Sequence, residues 1–503
     1  MKHSGASSTQ SHTHSDTSAK PHRHSYRRWR ALETVALICY LLPALGYCVM
    51  IVPGGGPDEA EHVDYVRSLA RQGQLPALPG SSLALQPDRV QTSQAQHPPL
   101  YYLLMAPLYR LAGSQQSFYV AGRLLGVLLG LAGLLMTRAA VRISFPERPE
   151  MAAFALIVTS GMTTYTYVTS TVNNEMLAVA FVCAGWWALA WGLRRRQPVA
   201  TMLLLGALLG LVLLVKLTGT VLVVALAVAA VALAAKDEPD RGADDTSDGA
   251  EAEQSDCPEP AAELLQKHPA TKRSVGNRLL AATKLTAIGL LIAAVLSGWW
   301  LVRNTAVYGT PLPRTHVRPM APNASAVLFL PEVAFPWIVV VVEETLWGIW
   351  LPWWLLRYGP GLMVALIYED FVASAALALI RPEVVLAPLI ALLIPLVGLR
   401  RAWRSGRLTV RQKWLLAAVL GGMVWLMAGL YYQLMLVDGQ VTYFVARYLP
   451  VMLPGLAVVL AVGAAELMPE RKRWAGGWIL QAAMAAFSGY VWWLVAVVQV
   501  YVH

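Results

Sequence analysis

Long apolar runs alternate with short polar segments along most of this chain. A helix crossing about 30 Å of hydrocarbon needs about 20 largely apolar residues. Residues 201–235, 279–302 and 478–502 meet that length. The same test predicts spans at 31–52, 121–143, 151–172, 175–193, 281–302, 384–400, 414–436, 447–467 and 478–501. The run 201–235 is too long for one span and breaks at Lys216-Leu217-Thr218-Gly219, so it reads as two passes meeting near Lys216.

Between the first two spans lies a polar stretch, Pro53 to His97. Pro57 is a favoured first helical residue and Gly73 a favoured stop, so a helix is expected between them. Segment 98–112 is apolar but short, and it carries Pro98, Pro99, Pro107 and Arg110. If it crossed, Arg138, Arg142, Arg148 and Arg194 to Arg196 would face outward, against the positive-inside rule. It is therefore expected along the outer interface, with Tyr101, Tyr102 and Tyr109 at headgroup level. Between Phe335 and Ile380 the chain is apolar and Trp-rich, yet carries Glu343, Glu344, Glu369 and Asp370. A crossing hairpin and interfacial helices fit it equally, which gives roughly 13 or roughly 11 crossings.

The fold class that follows is an all-α polytopic membrane protein. Its expected divisions are a disordered cytoplasmic tail at 1–30 and an N-terminal transmembrane half at 31–235 with a first outer loop at 53–98. A flexible acidic cytoplasmic loop at 236–278 follows, then a C-terminal half at 279–503 with an outer segment at 303–383. Composition agrees: 14% of residues are charged, where soluble domains carry about a quarter. The net charge of +10 sits in clusters between spans, such as Arg27, Arg28 and Arg30, or Arg400, Arg401, Arg404 and Arg407. That arrangement points to cytoplasmic loops and excludes nucleic acid as a partner. Four cysteines show no pairing pattern and no CxxC. No internal repeat is visible, which weighs against a transporter built from duplicated halves.

Candidate chemistry gathers on the outer side. Pro57-Asp58-Glu59-Ala60-Glu61-His62 packs acids and a histidine into one turn just after the first span. Acids suit a helix start because they meet the positive end of its dipole. That accounts for Glu59 and Glu61, but not for the cluster's place at a membrane exit beside Gly54-Gly55-Gly56. Glu59 and His62 also make half of a di-iron signature whose other copy is missing. Gln96-His97-Pro98-Pro99 reads as an extended entry to the interfacial helix. Asn173, Asn174, Glu175, Lys216, Arg303, Asn304, Arg447 and Tyr448 fall at expected outer ends of spans. Any one of them could be snorkelling; basic groups outside invite a further reason, and an anionic lipid phosphate supplies one. No Walker loop, strand-borne GxGxxG, HExxH or GxSxG occurs in a credible context.

Taken in order, these pieces resemble the GT-C superfamily of membrane glycosyltransferases, which includes protein O-mannosyltransferases and lipid A aminoarabinose transferases. The residues that carry the resemblance are Asp58-Glu59, His97-Pro98-Pro99-Leu100-Tyr101-Tyr102, Arg123, Asn173-Asn174-Glu175, Lys216-Leu217-Thr218, Arg303-Asn304, Tyr308-Gly309-Thr310-Pro311 and Arg447-Tyr448. The resemblance implies a GT-C bundle and a polyprenyl-phosphate sugar donor. The sugar would pass to an extracytoplasmic acceptor: a glycan, a lipid or a protein. It implies Asp58 as catalytic base with Glu59 beside it, and His62, His97, Asn174, Lys216, Arg303, Arg447 and Tyr448 as substrate-binding residues. No cofactor is required; a divalent metal on Asp58 and Glu59 is compatible with some relatives. The implied location is a cell inner membrane, N-terminus cytoplasmic and active site extracytoplasmic. Asn174-Glu175 stands where relatives often have Asn-Asp, which leaves the role of Glu175 open.

Two other classes fit parts of the pattern. A transporter or flippase of lipid-linked saccharide predicts ionisable residues deep within spans, whereas here they gather at span ends. A non-catalytic envelope assembly protein predicts that Asp58 tolerates replacement.

Overall fold

The computed structural model describes residues 20–235, 275–313, 382–431 and 445–502. The expectation for the Trp-rich segment 335–380 therefore falls outside the described residues, as does that for the acidic loop 236–278 up to residue 274. Among the described residues the regular elements are helices, apart from one isolated bridge between Ala77 and Gln91. Helix α1 runs Lys20–Met50, α2 Glu59–Gln72, α3 Leu100–Ala112 and α4 Gln115–Ser144. They are followed by α5 Pro149–Gly161, α6 Thr163–Thr169, α7 Glu175–Arg195, α8 Pro198–Leu213, α9 Val221–Ala234 and α10 Val275–Tyr308. The last four are α11 Pro382–Arg404, α12 Val410–Tyr431, α13 Leu453–Leu467 and α14 Arg473–Val502.

Seven helices are long and apolar enough to cross a membrane, and the bent pair α5 and α6 would make an eighth. The chain is a multi-pass membrane protein. Three expectations need correction. α1 begins at Lys20, inside the segment expected to be disordered. The span expected at 151–172 is broken at Met162, where α5 and α6 meet at 70°. Its Thr and Ser hydroxyls turn back on the backbone, as Thr159 to Ala155 O at 2.8 Å and Ser170 to Thr166 O at 2.6 Å, a habit that bends helices. Finally, α2 starts at Glu59 rather than Pro57.

The ends of the bundle differ in character. At one end, Glu33 of α1 accepts from Arg138 Nε at 2.8 Å and from Arg142 Nη2 at 2.7 Å. Nearby, Glu466 of α13 accepts from Arg148 at 2.6 Å and Arg407 at 3.0 Å, and Glu150 accepts from Arg473 at 3.0 Å. The basic clusters expected on the cytoplasmic side thus tie α1, α4, α5, α13 and α14 together. The opposite end carries the polar stretch after α1. α3, at 13 residues, is short of the about 20 needed to cross. Its first amide, Leu100 N, donates to Leu214 O at 3.0 Å, next to the break at Lys216. The break itself lies where expected, as a 3₁₀ turn over Leu217–Thr220.

α4 is the post around which this end is built. Glycines on one face let it approach its neighbours closely: a side chain at Gly126 would strike Thr169 O and Met176, and one at Gly130 would strike Thr169 and the Tyr40 hydroxyl. Small residues at such crossings bring backbones together in membranes. The third turn of α4 then delivers Arg123 to the end of α1.

Candidate active site

Arg123 is the largest fully buried side chain described. Its Nη1 donates to Cys48 O at 3.1 Å and Ile51 O at 2.6 Å, and Nη2 donates to Val52 O at 2.9 Å. The guanidinium thus gathers the carbonyl of Cys48, in the last turn of α1, with those of Ile51 and Val52 just beyond it. The charge is balanced by Glu59, 0% exposed, whose Oε1 and Oε2 accept from Arg123 Nε at 2.9 Å and Nη2 at 2.7 Å. Glu59 also accepts from Val172 N at 2.8 Å and Gly56 N at 3.2 Å. Gly56 has to be glycine: a Cβ there would lie 2.8 Å from Thr171 Cγ2. With four donors on its two oxygens, Glu59 has no room for substrate or metal. The expected catalytic partner of Asp58 is a structural anchor joining α1, α2, α4 and the turn after α6. No group of three acidic, His or Cys residues suited to a metal occurs among the described residues.

Asp58 differs from its neighbour in exposure and backbone conformation. It is exposed and stands at the N-cap of α2 with φ 53°, a left-handed conformation. Its side chain makes no capping hydrogen bond, so the ordinary structural use of an acid at a helix start is not the one realised. A non-glycine residue held at positive φ costs roughly 1–2 kcal/mol, and such strain tends to collect at functional sites. Three residues on, Glu61 is bonded to Ser93. Burial raises the Glu61 carboxyl above its ordinary value, and the nearby Asp58 charge adds to the rise, while bonds from Gln94 and Ser93 oppose it.

His62 is buried one turn after Asp58 and shares a 2.9 Å hydrogen bond with the Tyr102 hydroxyl. Its ring stacks on His97 at 6.4 Å and on Tyr102 at 5.8 Å, and Tyr102 stacks on Tyr65 at 3.6 Å. This aromatic stack explains the His97-Pro98-Pro99 entry: it locks α3 against α2 and leaves His97 at the edge of a cavity.

That cavity, about 300 Å³, is the candidate substrate site. His97, Lys216, Thr218 and Tyr448 supply polar groups, while Leu312, Trp425, Leu426 and Leu430 line the apolar side. Trp425 Nε1 donates to Thr220 Oγ1 at 3.2 Å and holds α12 to the 3₁₀ turn. Lys216 is ion-paired with Glu175 and lies 5.5 Å above the Tyr448 ring. Asn174 Nδ2 donates to Val215 O at 3.2 Å, bracing the strand of chain that carries Lys216.

Three of the expected substrate residues, His97, Lys216 and Tyr448, thus meet at one cavity, and His62 stands behind them. Asn174 braces that wall. Arg303 does not line the cavity; it donates to Asn304 Oδ1 at 2.9 Å and lies over Trp300 at 5.0 Å and Tyr308 at 5.1 Å. Arg447 belongs to the 3₁₀ turn Val445–Met452, but its side chain lies outside the described residues. Arg123, Thr218 and the α12 wall were not singled out as site residues from sequence. An arginine near the start of an apolar run was the available signal for Arg123; Thr218 and Trp425 carry none.

Comparison with known proteins meets the resemblance drawn from the motifs. Residues 96–239 match the family model of dolichyl-phosphate-mannose-protein mannosyltransferases. That stretch contains His97, Arg123, Asn174, Lys216 and Thr218. No curated protein matches the chain. Among solved structures, ArnT from Cupriavidus metallidurans bound to undecaprenyl phosphate is 17% identical, with 87% of this chain and 77% of that chain covered and a TM-score of 0.36. The apo state of the same protein is 17% identical, with 88% and 78% covered and a TM-score of 0.35.

Proposed function

We propose that this chain is a GT-C type glycosyltransferase that moves a sugar from a polyprenyl phosphate to an extracytoplasmic hydroxyl, with Asp58 as general base. The observation that carries the reading is the cavity edged by His97, Lys216 and Tyr448 and walled by Trp425, Leu426 and Leu430. A cation and polar groups facing an apolar wall suit a lipid with an anionic head. The family match over residues 96–239, to proteins described by a dolichyl-phosphate sugar donor, supports the same class.

In this reading Asp58 takes the proton of the acceptor hydroxyl as its oxygen attacks the anomeric carbon. The bond from that carbon to the phosphate oxygen breaks, and its electron pair leaves with the lipid phosphate. A positioned base contributes about 10²–10⁴ to such a step. Lys216 and neighbouring dipoles stabilise the charge that develops on the leaving group. Glu59 stays paired with Arg123 throughout and holds the turn that aims Asp58. The basic end of the bundle faces the cytoplasm and the Asp58 end faces outward, in keeping with the positive-inside rule.

The test is sugar transfer in membrane vesicles from labelled polyprenyl-phosphate sugars, comparing wild type with Asp58→Asn. Asparagine tolerates the left-handed conformation as well as aspartate does, so the variant is expected to fold normally. Transfer should fall about 10²–10⁴-fold. Equal transfer by both would remove Asp58 from the mechanism.

A further inference from the structure

Thr218 is a buried group that the proposed reaction leaves unused. Thr218 is among the residues that line the cavity and is 9% exposed. Its hydroxyl oxygen has no hydrogen-bond partner among the described residues. A hydroxyl withdrawn from water without a partner is destabilising, and each such group in a native structure calls for a reason. Thr220, in the same turn, spends its hydroxyl on Trp425, whereas Thr218 spends its own on nothing described.

The surroundings indicate what would satisfy it. Thr218 lies two residues after Lys216, in the 3₁₀ turn Leu217–Thr220 that leads into α9. Lys216 alone is an incomplete receptor, because its charge is already shared with Glu175 and it rests on the Tyr448 ring. A second, neutral donor beside it would complete the grip on a phosphate. The facing wall, Leu312, Trp425, Leu426 and Leu430, is apolar, which suits the hydrocarbon of a lipid rather than a free ion.

We infer that Thr218 is a binding residue for the donor's phosphate: its hydroxyl donates to a phosphate oxygen that also faces the Lys216 ammonium. The inference rests on the donor reading above and adds to it a contact and a chemistry.

The experiment uses the full chain in lipid nanodiscs, with undecaprenyl phosphate as probe and undecaprenol, the same chain without phosphate, as control. Thermal unfolding and binding are measured for wild type, Thr218→Val and Thr218→Ser. Valine removes an unsatisfied hydroxyl, so Thr218→Val is expected to unfold at the same temperature as wild type or higher. Its affinity for undecaprenyl phosphate is expected to drop about tenfold to a hundredfold, the range for a hydrogen bond to a charged group. Serine should retain the wild-type affinity, and undecaprenol binding should be the same in all three. A destabilised Thr218→Val would reveal a structural bond and overturn the inference, as would unchanged affinity in a variant that folds. If wild type binds undecaprenol as tightly as undecaprenyl phosphate, the donor reading itself fails and the inference goes with it.

Discussion

Glu59→Gln separates scaffold from chemistry at the Asp58 turn. Glutamine keeps the shape of the side chain and one acceptor oxygen, but leaves Arg123 with its charge uncompensated. Arg123 is 1% exposed and its remaining acceptors are the neutral carbonyls of Cys48, Ile51 and Val52. Breaking a buried pair by removing one partner costs about 3–5 kcal/mol. At about 1.4 kcal/mol per tenfold change, that enlarges the population of the locally opened loop by about two to three and a half powers of ten. The assay is limited proteolysis of the 53–98 loop in detergent, with thermal unfolding alongside. Glu59→Gln should be cleaved much faster than wild type, whereas Asp58→Asn, altered at an exposed side chain, should be cleaved like wild type. Replacing the pair together, Glu59→Gln with Arg123→Met, should cost less than the sum of the single changes, because no lone charge is left behind. A Glu59→Gln protein that resists cleavage like wild type yet transfers no sugar would refute the anchor role and return Glu59 to the chemistry.

Two other variants test the site from different sides. Gly429 lines the cavity, and a Cβ built there meets nothing within 4 Å. Gly429→Ala should therefore fold at least as stably as wild type, while Gly429→Leu, a large side chain on a cavity-lining residue, should raise the KM for the lipid donor with little effect on thermal unfolding. An unchanged KM would place the lipid elsewhere. Glu61 titrates above its ordinary value in the folded chain, through burial first and the Asp58 charge second. Its contribution to stability is present at low pH and is lost as pH rises through the raised titration. Thermal midpoints of wild type should fall relative to those of Glu61→Gln as pH climbs from the ordinary glutamate range into that window. Parallel pH profiles would refute burial as the cause.

The spans were legible because their signal is local: a run of apolar residues long enough to cross says nothing about partners and needs none. Gly73, which ends α2 in a left-handed conformation, and the break at Lys216 were legible for the same reason, since each is written in a few adjacent residues. The Glu59 role was not. Its partner Arg123 is 64 residues away, and an acid at a helix start looks the same in sequence whether it faces water or an arginine. The bend at Met162 escaped because no proline marks it and 151–172 is long enough to read as one span, while the bend follows from what the Thr and Ser hydroxyls bond to. The cavity needed the chain just before α3, the turn before α9, the segment after α10, α12 and the 3₁₀ turn before α13 to come together, so only His97, Lys216 and Tyr448 stood out.

The Arg123 anchor also sets an order for biosynthesis. The proposed base is among the first 60 residues to emerge, but the turn that holds it is closed by a guanidinium from α4 and by the amide of Val172. Until α4 has entered the bilayer beside α1, that arginine would be an unpaired charge at its edge, which is costly. The loop therefore reaches its working shape only after synthesis has passed residue 172. A ribosome stalled before that point would leave a membrane-inserted chain that already contains the base but cannot yet aim it.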